Sequence, residues 1–290
     1  MMEQLLYISQ RGNTFDLTDN EYCWLLNVDG QTAAATDIAA VVVGGIDGDE
    51  INNIQAQPRG IILDLRIKQH VNVESAKRAI LNYIKIKQSC TLQWTQNNKV
   101  VTISGVVDSI SMPRYENGVT MQVSIHCGQP FWQDLNEIIT EISDAIDLHY
   151  FTDQVGGMLY FTDVGRPLGE IDTSRTRSFL NEGDVAVGMI IEIFALKTVT
   201  NPIMYDQNNN FFGVGYGSKS VVMNAGDKLI INTNKGHKSV YLNDTPLFDK
   251  IKPQSTWLQL EAGENEFSVN SDDVEIDNMV FTLEYKQRYV

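Results

Sequence analysis

Cysteine is scarce: Cys23, Cys90 and Cys127 are the three in 290 residues. The count is odd and no pair has CxxC spacing, which argues against a disulfide framework and against zinc. Long apolar runs are missing too. No stretch approaches the roughly 18 residues that a membrane-spanning helix needs, so no membrane anchoring is expected. The opening MMEQLLYISQRG has no basic region followed by an apolar run. No secretory signal is therefore expected, and the cytosol is the expected starting compartment. Basic residues are in deficit: 22 Lys and Arg face 37 Asp and Glu, for a net charge of −15. The acidity is spread over both halves and is not a tail. Such a surface repels nucleic-acid phosphate and excludes tight nucleic-acid binding. It also favours solubility.

Catalytic motifs are equally thin. Of His70, His126, His149 and His237, no two stand four apart and none lies in HExxH. His126 adjoins Cys127, but neighbours on a strand point to opposite faces and cannot pair as nucleophile and base. The expected roles are a solvated histidine and a small buried thiol. Asp47-Gly48-Asp49-Glu50-Ile51-Asn52 opens like a calcium loop, but it lacks the glycine at its sixth position and has Pro58 where the distal glutamate belongs. It reads as a hairpin turn. Gly213-Val214-Gly215-Tyr216-Gly217 has neither GxGxxG spacing nor a following helix, and reads as a loop or bulged strand. No catalytic, cofactor-binding or metal-ligating residue is expected, and no enzyme.

What the chain does have is a globular composition, 43% hydrophobic and 20% charged. Its length suggests about two domains. Strand signals dominate. Tyr22, Trp24, Leu26 and Val28 alternate with Glu21, Cys23, Leu25 and Asn27, and Asp29-Gly30 closes the run with a turn. Ile61, Leu63, Leu65 and Ile67 share one face, opposite Ile62, Asp64, Arg66 and Lys68. Val119, Met121, Val123 and Ile125 alternate likewise, and pairing with Lys99–Met112 across Glu116-Asn117-Gly118 predicts an antiparallel hairpin. Two helices are predicted. Residues 73–87 place Ala76, Ile80 and Tyr83 or Ile84 on one side, with Asn72 as N-cap and Glu74 in the first turn. Residues 131–147 place Leu135, Ile138, Ile139, Ile142 and Ile146 at helical spacing.

Residues 150–185 read as an irregular connection with one or two short strands. Beyond them, short apolar runs alternate with turns such as Ala225-Gly226-Asp227 and Lys235-Gly236, which predicts a β-sandwich or jelly roll. The fold class is therefore mainly β with a few short helices. The expected domains are 1–130, a β-sandwich-like unit with a helix; 131–184, a helix and irregular connector; and 185–290, a second sandwich. Trp257, Tyr241, Tyr205 and Phe211 are candidates for a sugar-stacking platform, although such aromatics more often build a sandwich core. Alternation leaves Trp257 partly exposed, opposite Leu258 and Leu260. That placement suggests contact with a partner protein.

Taken in order, YCWLLNVDG, VVVGGIDGDE, QPRGIILDLRI, VESAKRAILNYI, the strands CTLQWTQNNKVVTISGVVDSISM and VTMQVSIHC, and GQPFW resemble the N-terminal domain of the phage distal tail protein family, often called Dit. NEGDVAVGMIIEI, Asn201-Pro202, AGDKLIINTNKG and LEAGENEFSV…MVFTLEYKQRYV resemble the galectin-like β-sandwich of the same family. GQPFW departs from the acidic-Pro-Phe-Trp junction of many members. The resemblance implies a homo-hexameric ring made by the N-terminal domains, between the tail tube protein and the tail-tip hub protein. It implies outward sandwiches that anchor receptor-binding or other tip proteins, with Trp257 as a contact, and DNA passing through the ring without being held. It implies a place in the virion tail, assembled in the host cytoplasm, with no cofactor. A carbohydrate-binding module built on the galectin-like half is the alternative. The purified protein should show no measurable DNA affinity at physiological salt. A tight, salt-sensitive gel shift would contradict the charge argument.

Overall fold

Alternation of branched apolar and polar residues decides most of the architecture in the computed structural model. The structure describes residues 4–45, 47–112, 114–115, 118–140, 145–146, 170–171, 176–272 and 279–290. Two units emerge: Met1–Asn136 together with Arg288–Val290, and Glu137–Gln287.

The first unit runs β1 (Gln4–Ser9), β2 (Thr14–Asp16), β3 (Cys23–Asp29), β4 (Thr36–Val41), β5 (Glu50–Ala56), β6 (Arg59–Ile67), α1 (Val73–Tyr83), β7 (Ser89–Gln96), β8 (Lys99–Ser111), β9 (Arg114–Tyr115), β10 (Gly118–Cys127) and β11 (Trp132–Asp134). Its main sheet has the order β2-β1-β7-β8-β10-β6-β3. β6 and β10 form its central ladder, with Leu65 opposite Met121, Leu63 opposite Val123 and Ile61 opposite Ile125, all six buried. The predicted hairpin forms, β8 pairing antiparallel with β10. Leu5 on β1 and Leu25 and Val28 on β3 line one recess, so the sheet curls until strands near its opposite ends approach. α1 fills the concavity. The Asn72 side chain caps it by accepting from the Glu74 and Ser75 amides at 3.0 and 3.2 Å. Ala76, Ile80 and Ile84 are buried, and Tyr83 stacks on Phe15 at 5.1 Å. The helix ends at Tyr83, four residues before the predicted limit.

The predicted helix over 131–147 is not formed. The described residues there form the short strands β11, β12 (Ile138–Thr140) and β13 (Ala145–Ile146), with bends between β11 and β12. β11 pairs with β8 and with the chain's final strand, Arg288–Tyr289, and Ile138 and Thr140 oppose Tyr285 and Leu283. Leu135 and Ile139, on the expected apolar stripe, are 45% and 60% exposed. A helix would bury little here, whereas branched isoleucines suit a pleated edge and its ladder hydrogen bonds. Ile142 lies outside the described residues.

The second unit continues with β14 (Glu170–Ile171), β15 (Thr176–Asn181), β16 (Met189–Ala195), β17 (Val199–Thr200), β18 (Ile203–Asp206), β19 (Phe211–Gly213), β20 (Val222–Met223), β21 (Lys228–Asn232), β22 (Ser239–Leu242), β23 (Thr245–Pro246), β24 (Gly263–Asn270) and β25 (Met279–Tyr285), before the last strand β26 (Arg288–Tyr289). Two antiparallel sheets, β12-β25-β16-β21-β22-β23 and β15-β24-β18-β19, enclose one core. Phe179 of one sheet meets Phe281 of the other at 6.0 Å. This is a β-sandwich, and the fold is mainly β with one α-helix among the described residues. β15 joins the sandwich by pairing along β24, so residues expected in the connector are an edge of its smaller sheet. The turn at Glu116-Asn117 lies outside the described residues, as does most of 150–185.

The turn after β2 is built on Asp16. Its carboxylate accepts from Gln4 Nε2 at 2.6 Å, Thr18 Oγ1 at 2.7 Å, and the Thr18 and Asp19 amides at 2.9 and 3.0 Å. Partial burial alone would raise its pKa, but these bonds, led by Gln4, outweigh it and hold the carboxyl below the ordinary aspartate value. A depressed folded-state pKa contributes stability that is present above the unfolded value and lost on acidification. Asp16→Asn should therefore lower stability at pH 7 by at most about 1 kcal/mol, because solvent screens the site. The gap to the parent should close as pH falls below the ordinary 3.8 through the lower folded-state value. Urea titrations at pH 7 and at acid pH check this. A gap that widens on acidification would mean that the sign is wrong.

Candidate interaction surfaces

The most exposed apolar surface lies on the β4–β5 hairpin, which forms its own two-stranded sheet. Ile38 opposes Ile54 and Ala40 opposes Ile51, with a bulge between Ala39 and Ala40. Every residue of both strands is exposed, Ile54 by 60%, and the adjoining Val42 is 78% exposed. The calcium-like segment 47–52 is part of this hairpin's turn and second strand, as its Gly-Asp composition suggests. Trp24 and Leu26 on the edge strand β3 are also exposed.

The root of the hairpin, in contrast, is tightly built. Gly30 has φ +83°, and a Cβ there would stand 2.1 Å from the Gly60 carbonyl oxygen, so only glycine fits. Arg59 is buried beside it and donates from Nη1 to the Gln31 carbonyl at 3.1 Å. Its Nε and Nη2 have no hydrogen-bond partner among the described residues. Burial pulls the Arg59 pKa down, and Cys127 partly opposes that shift. The guanidinium fastens the point where the hairpin leaves and rejoins the sheet.

The thiols lie in the core. All three cysteines are free and buried, and burial pushes Cys90 and Cys127 up to about 11, so thiolate is sparse at neutral pH. His126 is exposed on the strand face opposite Cys127. Among the described residues no helix is long and apolar enough to cross a membrane.

In the second unit the four candidate aromatics do not form one platform. Tyr205 and Phe211 meet at 6.0 Å across β18 and β19. Trp257 packs elsewhere, 4.7 Å from Phe212 and 5.9 Å from Phe248, with Lys238 Nζ 5.2 Å from its ring centre. Tyr241 makes no ring contact with any of these among the described residues. Leu258 and Leu260 are buried and Trp257 is half-buried, as alternation predicts, but the segment is a loop held by a single bridge from Leu260 to Val187. Beside Trp257 opens a polar recess of about 240 Å³. No motif announces it, because its residues come from the β18–β19 turn and the loop before β24. Asn201, of the Asn201-Pro202 pair, is a structural knot. Its side chain accepts from the Val221 amide at 2.8 Å and donates to Asp272 at 2.6 Å. A Cβ on Gly215 (φ +84°) would lie 1.9 Å from its Oδ1, which accounts for the glycine.

Comparison with known proteins places these units. Residues 182–289 match the family model described as siphovirus-type tail component, C-terminal domain. The Dit protein of phage SPP1, whose structure is described as a paradigm of the hub adsorption apparatus in phages infecting Gram-positive hosts, aligns over 100% of both chains with 13% identity and a TM-score of 0.65. A chain of the phage P2 baseplate, solved in its activated conformation with calcium, aligns over 99% of this chain and 98% of its own, at 14% identity and a TM-score of 0.44. No curated protein sequence matches the chain. Residues 182–289 thus carry the C-terminal domain of a siphovirus-type tail component. Over its whole length the chain has the fold of the phage distal tail proteins.

Because Trp257 is wedged among Phe212, Phe248 and Lys238, Trp257→Ala should cost the sandwich about 2–3 kcal/mol, beyond the level of about 1 kcal/mol expected for an exposed site. Trp257→Phe should cost less. Thermal melts of both variants check this, and an unchanged midpoint for Trp257→Ala would show that the ring contacts carry no stability.

Proposed function

We propose that this protein is a non-enzymatic hub of the tail tip. Six copies form a ring through their first units, join the tail tube protein to the tip hub protein, and present the sandwiches as anchors for receptor-binding or other tip proteins. The carrying observation is the exposed hairpin. Ile38 and Ile54 face each other, with Ile51 and Val42 nearby, and all stand in water in a single copy. Contiguous exposed apolar surface of this kind marks an interface. A closed ring needs a heterologous contact, one patch meeting a different patch on the next copy, and a hairpin arm reaching a neighbour supplies it. The exposed Trp24 and Leu26 on the edge of β3 are a fitting receptor for such an arm. The net charge of −15 suits a ring through which DNA passes without being retained.

Light scattering and negative-stain imaging of the purified protein test this. Six-fold rings are expected, and Ile38→Asp combined with Ile54→Asp should leave a monomer with an unchanged circular-dichroism spectrum, because both side chains are exposed in a single copy. A parent protein that stays monomeric at tens of micromolar concentration, or a variant that still closes rings, defeats the proposal.

A further inference from the structure

We propose that the recess beside Trp257 is a binding site for a neutral saccharide. Its walls come from Asp206, Asn208, Trp257, Gln259, Glu261 and Asn265. The scaffold is fixed from behind. Asp206 accepts from the Asn208 and Asn210 amides, both at 2.8 Å, which shapes the β18–β19 turn. Buried Asn265 bonds to the Glu261 amide and carbonyl, both at 2.8 Å, and so holds the opposite wall. Thr256 donates to the Phe211 carbonyl at 2.7 Å, and Phe212 braces the Trp257 ring. Binding to walls already held in place forfeits little ordering entropy.

Facing the recess are polar groups that the protein does not use. Among the described residues, nothing hydrogen-bonds to the Trp257 indole N–H, the Glu261 carboxylate, the Asn208 carboxamide or the Gln259 carbonyl oxygen. Gln259 is held through Nε2, which donates to the Thr233 carbonyl at 3.3 Å. Carboxylates and carboxamides around an aromatic wall match a ligand with adjacent hydroxyls and an apolar C–H face. No basic residue lines the recess, and the one cation beside its aromatic wall, Lys238 at 5.2 Å from the Trp257 ring centre, is outnumbered by Asp206 and Glu261, so a neutral sugar is favoured over an anionic one. A bare metal ion is a poorer fit, since no cluster of three or more acidic, histidine or cysteine groups that could hold one occurs among the described residues. The 240 Å³ lies below the roughly 300–1,000 Å³ of drug-sized pockets, which suits one sugar ring and not a buried chain. The same features favour a saccharide over a partner protein at Trp257, because interface hot spots centre on desolvated apolar anchors and this opening is polar.

The test is saturation-transfer NMR and calorimetry on the full chain with glucose, galactose, N-acetylglucosamine and rhamnose, and with N-acetylneuraminic acid as the anionic control. At least one neutral sugar should bind with a Kd on the order of 1 mM, as expected for so small a ligand in an open site. The anionic control should not bind. Glu261→Gln and Asn208→Ala should each weaken binding about tenfold, the effect of one lost hydrogen bond to a polar ligand. Neither should move the melting midpoint. No binding by any neutral sugar at about 50 times that Kd, tighter binding of the anionic sugar, or equal binding by both variants overturns the proposal. Ring formation is read independently, so either proposal can fail alone.

Discussion

The ladder between β6 and β10 is the interaction on which the first unit depends. Eight residue pairs run from Thr120 and Arg66 to Cys127 and Arg59. Side chains on a strand alternate strictly, so this register fixes which face of every neighbouring strand is buried. Shifting it by one residue would carry Ile61, Leu63 and Leu65 to the outside and bring Asp64 and Arg66 into the core. β3, β8 and β9 pair with these two strands, and α1 covers the face they leave apolar. The ladder also ends at Arg59 and begins the strand next to Gly60, so the root of the exposed hairpin is set by the most buried part of the sheet.

That coupling separates two kinds of surface. The root at Gly30, Arg59 and Gln31 is crowded and hydrogen-bonded, whereas the arm beyond it has almost no contact with the unit that carries it. An arm without a core of its own is marginal as an isolated two-stranded hairpin. In the proposed ring its isoleucines would gain stability by meeting the surface of a neighbouring copy. A buried arginine with two guanidinium nitrogens that lack a hydrogen-bond partner among the described residues is costly, and it stands where the arm departs, so a fixed departure point is held at the expense of stability.

Much of this was legible in the sequence, and the failures have physical causes. Strands with one buried face, such as β6 and β10, announce themselves through period-two alternation, and α1 through its spacing and its Asn72 cap. The segment 131–147 misled because Leu135, Ile138, Ile139, Ile142 and Ile146 fit a helical stripe, while the partner strands that claim it, at 283–285 and 288–289, lie some hundred and fifty residues away. Local periodicity carries no information about such distant pairing. The same distance hides the division of the chain. Arg288–Val290 belong to the first unit and β12 to the second, so a cut near residue 150 would strip an edge strand from the sandwich and leave it a strand of its neighbour. The exposure of the β4–β5 isoleucines was invisible because apolar residues in a sequence read as core whether they meet their own chain or another.

The two units therefore place their unused chemistry differently. In the first, what is left over is apolar: Ile38, Ile54, Val42, Trp24 and Leu26. In the second, it is polar: groups of Trp257, Asn208, Gln259 and Glu261 that stand around a recess and to which no described residue hydrogen-bonds. Apolar surface is satisfied by area, which a repeated copy of the same chain provides at every contact of a ring. Isolated polar groups are satisfied one hydrogen bond at a time, and water serves them until a ligand with matching hydroxyls displaces it. An acidic chain accommodates both. Repulsion between like-charged copies disfavours non-specific association, so only contacts that bury enough apolar area or match enough hydrogen bonds overcome it.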